Sequence, residues 1–121
     1  MEYSITLLSR NPKILVDFWM KALSLHSRNE YLQPDSDLDF VDLYHRNQKV
    51  MTIVKSSIDT TGLQISRMVF SVKKEYAKLT KRQLQCEWFP QKNNLFSIKD
   101  PQGNWLSICQ DPNFKNLENE L

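Results

Sequence analysis

Phe96-Ser97-Ile98-Lys99-Asp100-Pro101-Gln102-Gly103-Asn104-Trp105-Leu106-Ser107-Ile108 reads as two strands joined by a turn whose residues fix its geometry. Asp100 and Pro101 suit the first two positions of a type I turn, and Gly103 can take the positive φ that closes it. Residues on both sides alternate as strands do, so the turn delivers Ser107 to a fixed place on a sheet.

Upstream of this hairpin, 65–72 predicts a strand with Met68, Phe70 and Val72 on one face. Residues 73–85 predict a helix with Tyr76, Ala77, Leu79 and Leu84 as a thin apolar stripe. Lys73, Lys74, Lys78, Lys81 and Arg82 surround that stripe; they fit a solvated helix face better than a phosphate site, since no glycine-rich loop precedes them. Strands at 87–89, 95–99 and 104–110 complete a βαβββ order. The first half carries the same order. Tyr3, Ile5 and Leu7 mark a half-buried strand over 3–9, and Asn11 suits a cap with Pro12 at the first helical position. Ile14, Leu15, Phe18, Trp19, Ala22 and Leu23 recur at three-and-four spacing, predicting a helix over 12–25. Strands follow at 29–32, 40–45 and 49–56, and a polar linker spans 58–62.

Length and composition set the class. A chain of 121 residues with 40% hydrophobic and 25% charged residues predicts one compact globular domain, with module one at about 3–56 and module two at about 65–110. The 16 basic and 14 acidic residues leave a net charge of +2, too balanced for a nucleic-acid surface. No apolar run reaches the roughly 18 residues of a membrane span. The N-terminus lacks the pattern of a signal peptide, so a cytoplasmic protein is expected. Cys86 and Cys109 form no CxxC pair and are expected as thiols. With His26 and His45 isolated, no short-range zinc signature exists.

A tandem βαβββ repeat with Asp17-Phe18-Trp19 in its first helix and Asp100-Pro101-Gln102-Gly103-Asn104 before its last strand resembles the vicinal oxygen chelate superfamily. That group holds glyoxalases, bleomycin-resistance proteins and extradiol dioxygenases. The resemblance implies an α+β fold in which two modules form a curved mixed sheet around a cleft, with the helices outside. It also implies homodimers, often with clefts shared between chains. Metal-dependent members carry ligands on the first, fourth, fifth and eighth strands. Here those positions fall on Ser4, near Thr52 or Ile53, on Arg67 and on Ser107. None is a usual ligand, because divalent ions need carboxylates or imidazoles and a guanidinium repels them.

The expected function is therefore a metal-free, cofactor-free binding protein that holds a small organic ligand, anionic or aromatic, with no nucleic-acid or membrane partner. Arg67 has two readings: a structural ion pair with an acidic residue such as Glu2 or Asp42, or a guanidinium fork for a carboxylate or phosphate. In the family register, Thr6, Val69, Ser71, Trp105 and Cys109 share the cleft side with Ser4, Ile53, Arg67 and Ser107. Trp105 fits core packing or stacking on a flat ligand, and Cys109 fits a small buried residue better than a reactive thiol. The alternative is an enzyme, a lyase, isomerase or dioxygenase with its metal or acid and base groups relocated to residues such as Asp42, His45 or Glu87. A third reading is an interaction module without a small ligand.

Overall fold

The computed structural model describes residues 4–27, 39–89 and 92–112. Along them run β1 (Ile5–Ser9), α1 (Pro12–Leu23), β2 (His26–Ser27), β3 (Phe40–His45), β4 (Gln48–Lys55), β5 (Gln64–Val69), α2 (Val72–Lys81), β6 (Cys86–Phe89), β7 (Lys92–Lys99) and β8 (Trp105–Gln110). The class is α+β. Two compact units, Met1–Thr61 and Gly62–Leu121, each carry one βαβββ module. The strand expected at 29–32 and the tail beyond 112 lie outside the described residues. No helix among the described residues is long and apolar enough to cross a membrane.

In the first unit the strand order is β1-β4-β3-β2, with β1 parallel to β4 and the remaining pairs antiparallel. Pro12 starts α1 as expected, but Asn11 makes no side-chain cap bond; instead the Asn11 amide donates to Ser9 Oγ at 3.0 Å. The helix stops two residues before the expected end at residue 25, because Ser24 turns left-handed at φ 56°. Leu15, Val16, Trp19 and Ala22 form its buried stripe. They meet the sheet face of Leu7, Val41, Leu43, Met51 and Ile53, every one of them buried. Phe18 sets its ring edge-on to Trp19 at 5.1 Å. His26 stacks on Tyr44 across the β2–β3 pair.

The second unit repeats the arrangement with order β5-β8-β7-β6, in which β5 and β8 run parallel. Val72, Leu79, Phe96, Ile98, Leu106 and Ile108 are buried between α2 and the sheet, and Tyr76 meets Phe96 edge-on at 5.3 Å. The strand expected to reach residue 72 ends at Val69 because the backbone is diverted into a cap. Ser71 Oγ accepts from the Lys74 amide at 3.2 Å. From β8, Gln110 Oε1 accepts from the Val72 amide at 3.1 Å while its Nε2 donates to the Phe70 carbonyl. These partners satisfy helix-end amides that otherwise lack them.

The Asp100–Asn104 turn closes as its residues demand, with Gly103 at φ 85°. Asp100 Oδ1 accepts from the Gln102 and Asn104 amides, each at 2.8 Å, and Oδ2 accepts from Asn104 Nδ2 at 2.9 Å. Asn104, fully buried, then accepts from the Leu63 amide through Oδ1 at 3.0 Å. The Gly62 amide donates to the Gly103 carbonyl at 3.1 Å, and the Trp105 amide to the Leu63 carbonyl at 2.7 Å. The turn thus joins the β7–β8 hairpin to the chain entering β5.

Candidate functional site

Register decides which side chains share a face, because paired residues on neighbouring strands point the same way and successive residues alternate. In the second unit Ser66 pairs with Ser107, Ser107 with Ser97, and Ser97 with Glu87. These four residues make one row across the sheet. Trp105 with Gln64 and Lys99 forms the row on one side, and Cys109 with Met68 and Leu95 the row on the other. All of them lie on the face turned away from α2, because the intervening Phe96, Ile98, Leu106 and Ile108 are the buried residues beneath that helix.

The serine row carries an unusual polar group. Ser97 is 2% exposed, and its Oγ has no hydrogen-bond partner among the described residues. Leaving a buried hydroxyl unpaired costs about 1–3 kcal/mol. Beside it, the Lys99 ammonium lies 5.5 Å from the Trp105 ring centroid, within range of a cation–π contact. The Cys109 thiol donates to the Arg67 carbonyl at 3.6 Å. Hydroxyls, an indole and a cation therefore stand on one surface.

Arg67 stands elsewhere. It pairs with Ile108, on the α2 side, and its Nη1 lies 3.3 Å from Glu75 Oε2. Glu75 Oε1 is held by Lys78 at 3.1 Å. The expected position slips by one residue, so Ser66 and not Arg67 stands beside Ser107. A one-residue slip moves a side chain to the other face. The ion-pair partner is Glu75 rather than Asp42, and Glu2 lies outside the described residues. Val69 follows Arg67 onto the helix side, and Ser71 is committed to capping α2.

In the first unit the face away from the buried stripe carries Thr6, Thr52 and Asp42 as one row. Thr52 Oγ1 donates to Asp42 Oδ1 at 2.7 Å, so this row is internally satisfied. Of the two candidates at its centre, Thr52 faces outward and Ile53 is buried in the core. The Ile53 expectation is corrected for the same reason of alternation. Ser4 precedes β1 and is exposed. His45 is exposed at the end of β3, and Glu87 is exposed on β6, the edge strand of its own sheet.

Cys86 contacts the Leu84 carbonyl and Thr80. Burial pushes its thiol up and outweighs the Thr80 hydrogen bond, which pulls the other way, while the Glu75 charge adds a smaller upward push. A thiol held protonated is a poor nucleophile.

Sequence reasoning missed Ser97 and Ser66. Ser97 lies in the stretch that sets the hairpin, and counting outward from its five-residue turn puts it opposite Ser107. Its missing partner has no sequence signal.

No protein-family model and no curated protein sequence matches the chain. Solved structures do. A bleomycin-binding protein complexed with bleomycin superposes with a TM-score of 0.63 at 12% identity, over 92% of this chain and 98% of that one. A glyoxalase/bleomycin resistance protein from a Streptomyces species gives 0.60 at 13% identity, over 91% and 100%. The oxidase ChaP-H2 gives 0.64 at 15% identity, over 93% and 94%. This chain has the vicinal oxygen chelate fold.

The glyoxalase/bleomycin-resistance architecture hosts both binders and metal enzymes, so the side chains must separate them. Among the described residues the outward rows offer the neutral hydroxyls of Thr6, Thr52, Ser66, Ser97 and Ser107, with Glu87 as a lone carboxylate at the end of the serine row, a poor donor set for a divalent ion. Asp42 is already bonded to Thr52. Among the described residues no three His, Cys, Asp or Glu side chains gather as a metal site would require.

Proposed function

We propose that this chain is a metal-free binding protein that holds a small, flat organic molecule against the outward face of its second unit. Ser97 carries the reading. A hydroxyl that is buried and unpartnered gains a hydrogen bond when a ligand atom reaches it, and Ser107 and Ser66 extend that hydrogen-bonding line across the sheet. Trp105 offers an aromatic surface on the adjoining row, suited to stacking. The likeness to a bleomycin-binding protein agrees with a binder, and among the described residues no three His, Cys, Asp or Glu side chains gather as a metal site would require.

The reading includes a cytoplasmic protein that pairs with a second copy, for which exposed Ile14, Phe40 and Ile58 supply apolar surface. Equilibrium sedimentation at micromolar concentration tests the pairing.

Thermal-shift titration against small planar aromatics bearing a hydrogen-bonding group tests the site. A true ligand raises the midpoint in proportion to the logarithm of its concentration above Kd. Ser97→Ala and Trp105→Ala should each weaken that ligand roughly tenfold, the loss of about one hydrogen bond or one stacking contact. Undiminished affinity in both variants would sink the assignment.

A further inference from the structure

A groove of about 450 Å³ opens in the second unit, lined by Arg67, Met68, Phe70, Lys74, Glu75 and Lys78 among others. We propose that it is a second ligand site, one that takes an organic anion: a carboxylate or phosphate joined to an apolar group. It is independent of the serine row, and neither reading requires the other.

Charge is the first argument. Three cations, Arg67, Lys74 and Lys78, face two carboxylates, Glu75 and Asp111. Glu75 is already engaged through both oxygens, Oε2 with Arg67 and Oε1 with Lys78. Its single charge cannot neutralise both partners. Lys74 has no ion pair among the described residues and is exposed. The groove is thus left with net positive charge.

Donor geometry is the second. Among the described residues Arg67 spends Nη1 alone on a carboxylate, Glu75 Oε2 at 3.3 Å. A guanidinium has five N–H donors in a planar fork that matches the paired oxygens of carboxylate or phosphate. Its side chain is 34% exposed, which leaves donors open to the groove. Glu75 holds the fork in place while leaving most of it unused.

The third argument is the wall. Phe70 is 62% exposed, the most exposed large hydrophobic side chain of the described residues, and it lines this groove. A bare inorganic anion leaves it wet, whereas an aryl or alkyl anion covers it and gains the area-proportional stabilisation of apolar burial. The backbone beneath is fixed: Gln110 bonds to Val72 and Phe70, Ser71 caps Lys74, and the Asp111 amide donates to the Val69 carbonyl at 2.9 Å. A preformed floor limits the ordering cost of binding.

Titration of the full chain with phenyl phosphate, benzoate, inorganic phosphate and benzyl alcohol, followed by amide chemical shifts, tests the proposal. Saturable shifts at Ser71, Lys74 and Asp111 are expected with phenyl phosphate or benzoate, at least fivefold weaker with inorganic phosphate, and none with benzyl alcohol. Lys74→Glu, an exposed position that leaves the fold intact, should weaken phenyl phosphate and benzoate tenfold or more, and Arg67→Met likewise. Lys81→Glu makes the same charge change on α2 outside the groove and should weaken them less than twofold. Absence of saturable shifts at these amides, equal losses in Lys74→Glu and Lys81→Glu, or inorganic phosphate binding as tightly as phenyl phosphate would overturn it.

Discussion

Ser97 and Cys86 show how two small polar side chains acquire opposite meanings from their surroundings. The Ser97 hydroxyl loses its water and gains no partner, so removing the oxygen removes a penalty. Ser97→Ala should therefore leave the ligand-free protein unchanged or raise its stability by about 1 kcal/mol. A denaturant midpoint that falls at constant slope would contradict this. Cys86 is raised by burial, so its reactive thiolate is scarce at neutral pH. Alkylation by iodoacetamide at pH 7 should run several-fold slower at Cys86 than at a free cysteine, as mass mapping of the modified peptide would reveal. The linkage has a sign. A folded thiol that binds its proton more tightly than the unfolded one contributes stability fully present below the unfolded pKa. That contribution is lost as pH climbs through the raised folded pKa, so the Cys86 effect belongs to alkaline solution.

At the scale of elements, Asp100–Asn104 is where sequence and structure agree most closely. Asp100 accepts three hydrogen bonds inside a buried turn, so Asp100→Ala strands three donors. It should cost about 2–4 kcal/mol, seen as a lowered melting midpoint. The strand and helix order was legible because apolar spacing changes from three-and-four to two at each boundary, and Pro12 and Gly103 punctuate it. Boundaries moved at the helix ends: the side chains of Ser71 and Gln110 take up backbone groups and shorten β5, while the left-handed backbone of Ser24 shortens α1. The site was less legible for a related reason. Alternation names two faces but not which is buried, and a one-residue slip exchanged Arg67 for Ser66. Ser107, Trp105 and Thr6 fall on the face away from the helices, beside the strongly apolar Leu106 and Leu7 that take the buried side. Arg67 sits between Ser66 and Met68, where hydrophobicity gives no such guide, and only Glu75 on a following helix explains its direction.

For the whole molecule, the outward rows of both units are built mainly from hydroxyls, with Asp42 tied to Thr52 in the first and Glu87 standing alone at the end of the second. Nothing in this chemistry competes well for a divalent cation. Dialysis against EDTA should leave the melting midpoint within a degree, and nickel or zinc added afterwards should not raise it. A metal-dependent rise of several degrees would show a site of other residues, since a ligand stabilises in proportion to its occupancy of the native state.

Each unit closes its sheet by laying its first strand parallel to its last, β1 on β4 and β5 on β8. In the second unit the Leu63 amide reaches Asn104 across 41 residues. Bringing such distant points together carries a length-dependent entropy cost of about 3 kcal/mol, whereas the β6–β7–β8 meander needs only short loops. Local pairing therefore has a kinetic advantage and the parallel seam closes late. The Asp100–Asn104 turn, formed early within the hairpin, carries the Asn104 amide that fastens the seam, so one five-residue motif begins the assembly of its unit and completes it.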